Sequence, residues 1–203
     1  MKYLTFIKKN IKWSDIKILP QNKLIKSSYF WFALVPIIAK ILNKIEVPLT
    51  LNINQNILID MNLPFSWKIF YISSLLIVIA NILFFVFCPK IIKEFNDYSE
   101  FKKSGRNSNN LIDYIPQSNS ALLEEIQKIF KKVESEGDNW VDEEIYLKKL
   151  DNQLQANFWK IYNNLNESKQ KMRIISYILY SIGIAFFVIV ILQNIWFTIK
   201  QML

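Results

Sequence analysis

Three apolar runs interrupt an otherwise mixed chain, and their lengths set the first expectations. Trp67 to Cys88 carries one charge, Lys68 at its start, over 22 residues. At about 1.5 Å per helical residue this run matches the roughly 30 Å hydrocarbon thickness of a bilayer. Ile174 to Ile199 has no charged side chain over 26 residues, enough to span with tilt. Tyr29 to Leu42 is shorter and is broken by Pro36 and Lys40. It spans if Ser27 and Ser28 enter the inner interface while Lys40 and Lys44 snorkel outward; otherwise it is a re-entrant or interfacial helix.

Between the first two runs the pattern changes to period two. Val47, Leu49, Leu51 and Ile53 are apolar at odd positions, as are Ile57, Ile59, Met61 and Leu63. A loop of Asn54, Gln55 and Asn56, with Asn56 left-handed, predicts a hairpin pairing Ile53 with Ile57, Leu51 with Ile59, Leu49 with Met61 and Val47 with Leu63. Its apolar face requires cover, either from the chain's own helix ends or from another subunit or envelope partner.

After Cys88 the period is helical. Ile91, Ile92, Phe95, Tyr98 and Phe101 form a stripe that would continue the second span. Lys103 to Asn110, with Gly105, reads as a flexible joint. Leu122, Leu123, Ile126, Ile129, Phe130 and Val133 mark an amphipathic helix capped by Ser118 or Ser120 and ending near Gly137. Leu147, Leu150, Leu154, Phe158, Ile161 and Leu165 mark another, starting near Asn139, with no proline before Ile174 to stop it from running into the third span. These stripes suit the core of a small bundle better than a cofactor pocket.

The expected class is therefore an all-α membrane protein. It has three transmembrane helices (29–45, 67–88 and 174–199), a basic N-terminal segment (1–28), a short extracytoplasmic β-hairpin (46–66) and a cytoplasmic helical bundle (89–173).

Charge adds orientation. Of the formal +8, the segment before Tyr29 holds seven lysines against Asp15 alone, whereas 89–173 is balanced with 14 basic and 14 acidic side chains. Lysine bias places the N-terminus and the 89–173 region on the cytoplasmic side of a membrane that the chain crosses more than once. Aromatic pairs agree, with Phe65, Trp67, Trp196 and Phe197 at the outer interface and Tyr29, Trp31, Tyr177 and Tyr180 at the inner one. Lys2, Lys8, Lys9 and Lys12, interleaved with Leu4, Ile7 and Ile11, would set topology, lie on anionic lipid or contact nucleic-acid phosphate. Lipid is favoured over nucleic acid, because the surplus lies beside a span and the largest soluble part is neutral.

Composition removes much of enzymology. No histidine and three glycines exclude His-based triads, His-containing zinc sites and Gly-rich phosphate cradles. Carboxylates such as Glu124 with Glu125, or Asp142 with Glu143 and Glu144, read as solvated helix faces, although carboxylates alone can bind a hard metal. No catalytic, cofactor or metal residue is assigned, and a non-enzyme is expected.

The polar residues within the apolar runs are the candidate site. Ser74, Asn81 and Cys88 recur every seventh residue, in line with Trp67. An amide at membrane depth demands a partner because lipid offers none, so Asn81 is an interhelical hydrogen-bonding candidate. In the third run Ser181 and Ala185, with Gly183 nearby, form a small-residue pair that admits a second backbone. These six positions are helix-association or pore candidates, serving either packing within the chain or self-association into a leaky assembly. Cys88 itself reads as a small buried hydrophobe.

Three clusters carry a resemblance. Ser28, Tyr29, Phe30 and Trp31 with Val35, Pro36, Ala39 and Lys40; Leu63 through Lys68; and Cys88, Pro89, Lys90, Ile91, Ile92, Lys93 and Phe95 together resemble the membrane effectors encoded beside retrons. The likeness covers Ser28 to Phe101. It implies an antiphage toxin of an abortive-infection system, held inactive by a reverse transcriptase with RNA-linked DNA and damaging the inner membrane once released. That family is associated with two spans, so a third would be a departure. The competing expectation is a non-toxic membrane anchor or sensor subunit of a larger envelope or defence complex.

Overall fold

The computed structural model describes residues 11–42, 49–53, 55–59, 66–137 and 143–202. In order these form α1 (Trp13–Gln21), α2 (Lys23–Leu42), β1 (Leu49–Ile53), β2 (Gln55–Ile59), α3 (Trp67–Phe87), α4 (Lys90–Glu94), α5 (Tyr98–Lys103), α6 (Ser108–Ile112), α7 (Ser120–Gly137), α8 (Glu143–Asn166) and α9 (Gln170–Met202). The chain divides into two compact units. One joins Met1–Lys17 to Phe87–Gln170, the other Ile18–Val86 to Lys171–Leu203.

The second unit holds the apolar helices. Among the described residues, α3 and Gln170–Lys200 of α9 are long and apolar enough to cross a membrane. Only 39% and 22% of their most apolar stretches are buried, whereas the core helix of a water-soluble domain is mostly covered. Outward-facing Ile82, Phe85, Leu192 and Trp196 are all more than half exposed. The 20-residue α2, with Pro36 inside it, is not among the helices that pass this test. It starts at Lys23, six residues before the expected Tyr29, and Asn22 Oδ1 accepts from Leu24 N (2.9 Å) at its first turn. Val35 of α2, Phe70 of α3 and Val190 of α9 form one buried cluster flanked by Trp31, Tyr71 and Phe187. Trp31 meets Phe70 edge-on at 5.4 Å, and Phe32 stacks on Tyr71 at 5.5 Å.

β1 and β2 pair antiparallel with Leu49 opposite Ile59, Leu51 opposite Ile57 and Ile53 opposite Gln55. The register is two residues away from the one expected, with Leu51 facing Ile57 rather than Ile59. An even shift keeps odd positions opposite odd ones, so the period-two pattern does not distinguish the two registers. Val47, Met61 and Leu63 lie outside the described residues.

The first unit is a helical bundle. The expected continuation of α3 through Phe101 does not occur. α3 stops at Phe87, and Pro89, which has no amide proton to donate, precedes the five-residue α4. Phe95 then runs extended, and Asp97 caps α5 by accepting from Glu100 N (2.9 Å). Even so, Ile91, Ile92, Phe95, Tyr98 and Phe101 are all buried, brought to one core by the break rather than by one helical face. Phe158 of α8 lies 5.4 Å from Phe101 and 5.8 Å from Tyr98.

The expected flexible joint at Lys103 to Asn110 is held at both ends. Gly105 takes the left-handed φ of +72° that ends α5, and Asn107 builds a capping box with Asn110. Arg106 between them stacks over Phe95 (5.0 Å) and Tyr114 (5.4 Å) and pairs with Glu94 (2.9 Å). α7 has Ser120 as its first helical residue rather than as the cap before it, while the predicted start of α8 near Asn139 lies outside the described residues. Of the α8 stripe, Phe158, Ile161 and Leu165 are buried and Leu147 is 54% exposed.

α8 does not run into α9. It ends at Asn166, and Lys169 adopts a φ of +48°, a left-handed conformation unfavourable to a side chain with a Cβ. Asparagine at 163, 164 and 166 and serine at 168 weaken the helix locally.

Candidate functional site

Three-four spacing builds a seam between α3 and α9. Phe70, Ser74, Ile77, Asn81 and Phe84 are buried on α3, and Ser176, Tyr180, Gly183 and Val190 on α9. Two interhelical hydrogen bonds lie along it. Ser73 Oγ donates to the Gly183 carbonyl at 2.7 Å, and the Tyr180 hydroxyl donates to Asn81 Oδ1. The first depends on glycine. A Cβ at residue 183 would stand 2.8 Å from Ile77 Cγ1 and 3.2 Å from the Ser73 carbonyl oxygen. Towards the other end of the pair, Gln193 Oε1 accepts from Ser66 N (3.1 Å), serving an amide just before the first turn of α3. The amide nitrogen of Asn81 is buried without a hydrogen-bond partner.

The structure sorts the six candidates. Ser74, Asn81 and Gly183 are on the seam. Ser181 and Ala185 are not: both are exposed, and Ser181 Oγ donates locally to the Tyr177 carbonyl (2.9 Å). Gly183, two residues from each, is where α9 approaches α3, and Ser181 and Ala185 face away from that contact. Cys88 is buried but lies beyond the end of α3, in the first unit, with Sγ 3.7 Å from the Pro89 carbonyl oxygen. Trp67, expected on the same stripe, is 39% exposed. Tyr180, read as an interface aromatic, is instead fully buried as the partner of Asn81. Its spacing of four from Ser176 and three from Gly183 was the available signal.

Lys2, Lys8 and Lys9 lie outside the described residues. Lys12 is not a free lipid-facing cation, since it pairs with Glu167 at 3.5 Å. The residues after it are core rather than an arm on lipid. Trp13 is fully buried and donates from Nε1 to the Ser168 carbonyl (3.0 Å). Asn166 bonds Ser14 twice, accepting from its backbone N (2.8 Å) and donating to its Oγ (3.0 Å). Lys17, 6% exposed, donates from Nζ to the carbonyl of Phe95 (3.1 Å). Burial lowers the Lys17 pKa, against an opposing pull from Glu100.

Several acidic side chains of this unit are engaged in ion pairs, among them Glu94 and Glu167. Glu125 pairs with Lys160. Asp151 accepts from Lys102 (2.8 Å) and from the Tyr98 hydroxyl (2.5 Å), which together hold its carboxyl below the ordinary range. Among the described residues no three Cys, Asp or Glu side chains are grouped to hold a metal ion. Set against family models, curated proteins and solved structures, the chain finds no match in any of the three.

Proposed function

We propose that this chain is a three-span membrane effector of the retron-associated kind, with a cytoplasmic N-terminus, which permeabilises the bacterial inner membrane when freed from an inhibitory partner. The observation that carries the reading is the polar seam. A plain anchor is best served by apolar contacts, because every polar group at bilayer depth demands a partner. Here Ser73, Ser74, Asn81, Ser176 and Tyr180 are buried within or against the two most apolar helices, and one amide nitrogen is left over. A seam of this kind is costly in lipid and compatible with water, which suits helices that separate or self-associate into a leaky arrangement.

Connectivity supports three passes. The chain leaves the first unit after Lys17, returns at Phe87 and leaves again after Gln170. Those are the points just before α2, at the end of α3 and at the start of α9. A first helix that crosses gives all three junctions the same side, as lysine bias requires. The inhibitor in this reading is a reverse transcriptase with its RNA-linked DNA, and direct nucleic-acid contact by this chain is not required.

The intramolecular satisfaction of Ser73 and of Asn81 Oδ1 favours a second reading, a packed membrane anchor or sensor subunit. Expression of the full chain in bacteria without other components separates the two. The effector reading predicts collapse of membrane potential and entry of an impermeant dye at an expression level confirmed by membrane fractionation. Intact potential with a stoichiometric partner recovered in detergent supports the anchor.

A further inference from the structure

Three consecutive residues, Lys12, Trp13 and Ser14, bond to three others, Glu167, Ser168 and Asn166. The first group leads into α1 and so towards α2, and the second is the break between α8 and α9. Lys17, one turn further along, reaches the carbonyl of Phe95, in the extended residue that follows α4. The carbonyls chosen have a common origin. Ser168 and Phe95 both lie where a helix has stopped, so neither carbonyl is engaged in a helical ladder, and a buried one must find a donor. The indole and the ammonium supply those donors from one short segment. Asp15 Oδ2 accepts from Lys12 N (2.9 Å) and fixes the start of that segment, as half of a capping box.

The contact at Ser168 has a further consequence. Its carbonyl belongs to the peptide that precedes Lys169, the residue held at φ +48°. The Trp13 hydrogen bond therefore pins the plane from which that left-handed turn departs. α9 begins at the next residue and continues unbroken to Met202. The turn that leads into α9 is thus held by a side chain 155 residues away in the sequence.

We propose that Lys12–Lys17 is a releasable strap that holds the α8–α9 turn in its left-handed form and so restrains the third apolar helix, opening locally without unfolding the bundle. As regulation of the seam, the proposal rests on the effector reading. Its occupant is this chain's own segment, and any inhibitor or activator would act by favouring the bound or the released strap.

The test uses the full chain in inside-out membrane vesicles and the variant Trp13→Phe, which keeps an aromatic ring and removes the indole donor. Trypsin cleavage after Lys17, buried when the strap is closed, reports release; cleavage after the exposed Lys131 and Lys132 of α7 reports bundle unfolding. Loss of one hydrogen bond is expected to raise Lys17 cleavage about fivefold, with the α7 sites unchanged. Dye leakage at equal protein level is expected to rise by a similar factor. Ser14→Ala combined with Asn166→Ala, which removes the side chains from a different pair of strap bonds, should give the same pattern. Unchanged Lys17 cleavage in both variants overturns the strap, and so does a rise matched at the α7 sites. A rise in Lys17 cleavage with leakage unaltered from a leaky parent overturns its control of the third helix. Selective Lys17 cleavage with no leakage in parent or variant upholds local release and sinks the membrane-damage reading instead.

Discussion

Gly183→Leu is expected to destabilise the α3–α9 pair by about 2 to 4 kcal/mol, the largest loss of stability predicted for any single substitution here. Overpacking a tight contact costs about 1 to 3 kcal/mol. At Gly183 the clash begins with the Cβ itself, 2.8 Å from Ile77 Cγ1, before any of the leucine's other atoms are placed. Relief requires the helices to part, and that breaks the 2.7 Å bond from Ser73 Oγ to the Gly183 carbonyl. An interhelical hydrogen bond of this type contributes about 0.6 to 1.7 kcal/mol in membranes. The matched control is Ala185→Leu, two residues away on the exposed face, where the change should stay within about 0.5 kcal/mol. Unfolding in mixed micelles, followed by far-ultraviolet circular dichroism, measures both. Equal losses at the two positions would remove Gly183 from its special place in the seam.

The second large effect is on activity rather than stability. Asn81→Leu replaces the amide with an apolar group of similar size. It removes the unpartnered nitrogen and deprives the Tyr180 hydroxyl of its acceptor. These changes act in opposite directions on the closed pair, so its stability should move by less than about 1.5 kcal/mol. A water-containing arrangement loses more, because the amide could have hydrogen-bonded to water there. A differential loss near 1.4 kcal/mol lowers the population of that arrangement about tenfold. In cells with equal amounts of inserted protein, depolarisation by Asn81→Leu should therefore fall by about that factor. Tyr180→Phe, which removes only the hydroxyl, should raise leakage instead, since the Asn81 amide then loses its one bond in the closed pair. Unchanged depolarisation in both variants would exclude the seam from the mechanism.

Much of the architecture can be read from patterns that depend on one element at a time. The uncharged stretch from Ile174 to Ile199 and the one-charge stretch from Trp67 to Cys88 appear as α9 and α3 because apolarity over about 20 residues is a local property. Asn81 was legible for the same reason: an amide among isoleucines and phenylalanines requires a partner wherever it lies. Its partner was not. Tyr180 sits next to Ser181, and only the phase of α9 against α3 decides which of the two is buried. The small-xxx-small rule marks where a helix is narrow without marking which face another helix takes, so it favoured Ser181 and Ala185.

The helix breaks were harder for a different reason. Pro89 announces one of them, since it cannot donate to the ladder. The α8–α9 break has no proline or glycine and depends on donors from Trp13 and Ser14, more than 150 residues away in the chain. The same distance hid the role of the N-terminal segment. Its lysines were conspicuous, but Trp13, fully buried among them, was the better indication that the segment is core.

The central claim, that this chain by itself breaches a bilayer, is tested most directly by reconstitution. The purified full-length protein is inserted into vesicles of bacterial polar lipid loaded with a self-quenching dye, and release is followed against protein-to-lipid ratio. The effector reading predicts release that rises with the ratio and falls about tenfold for Asn81→Leu at equal insertion. Vesicles that hold their dye at every ratio, with insertion verified by protease protection, would contradict it and leave a membrane anchor.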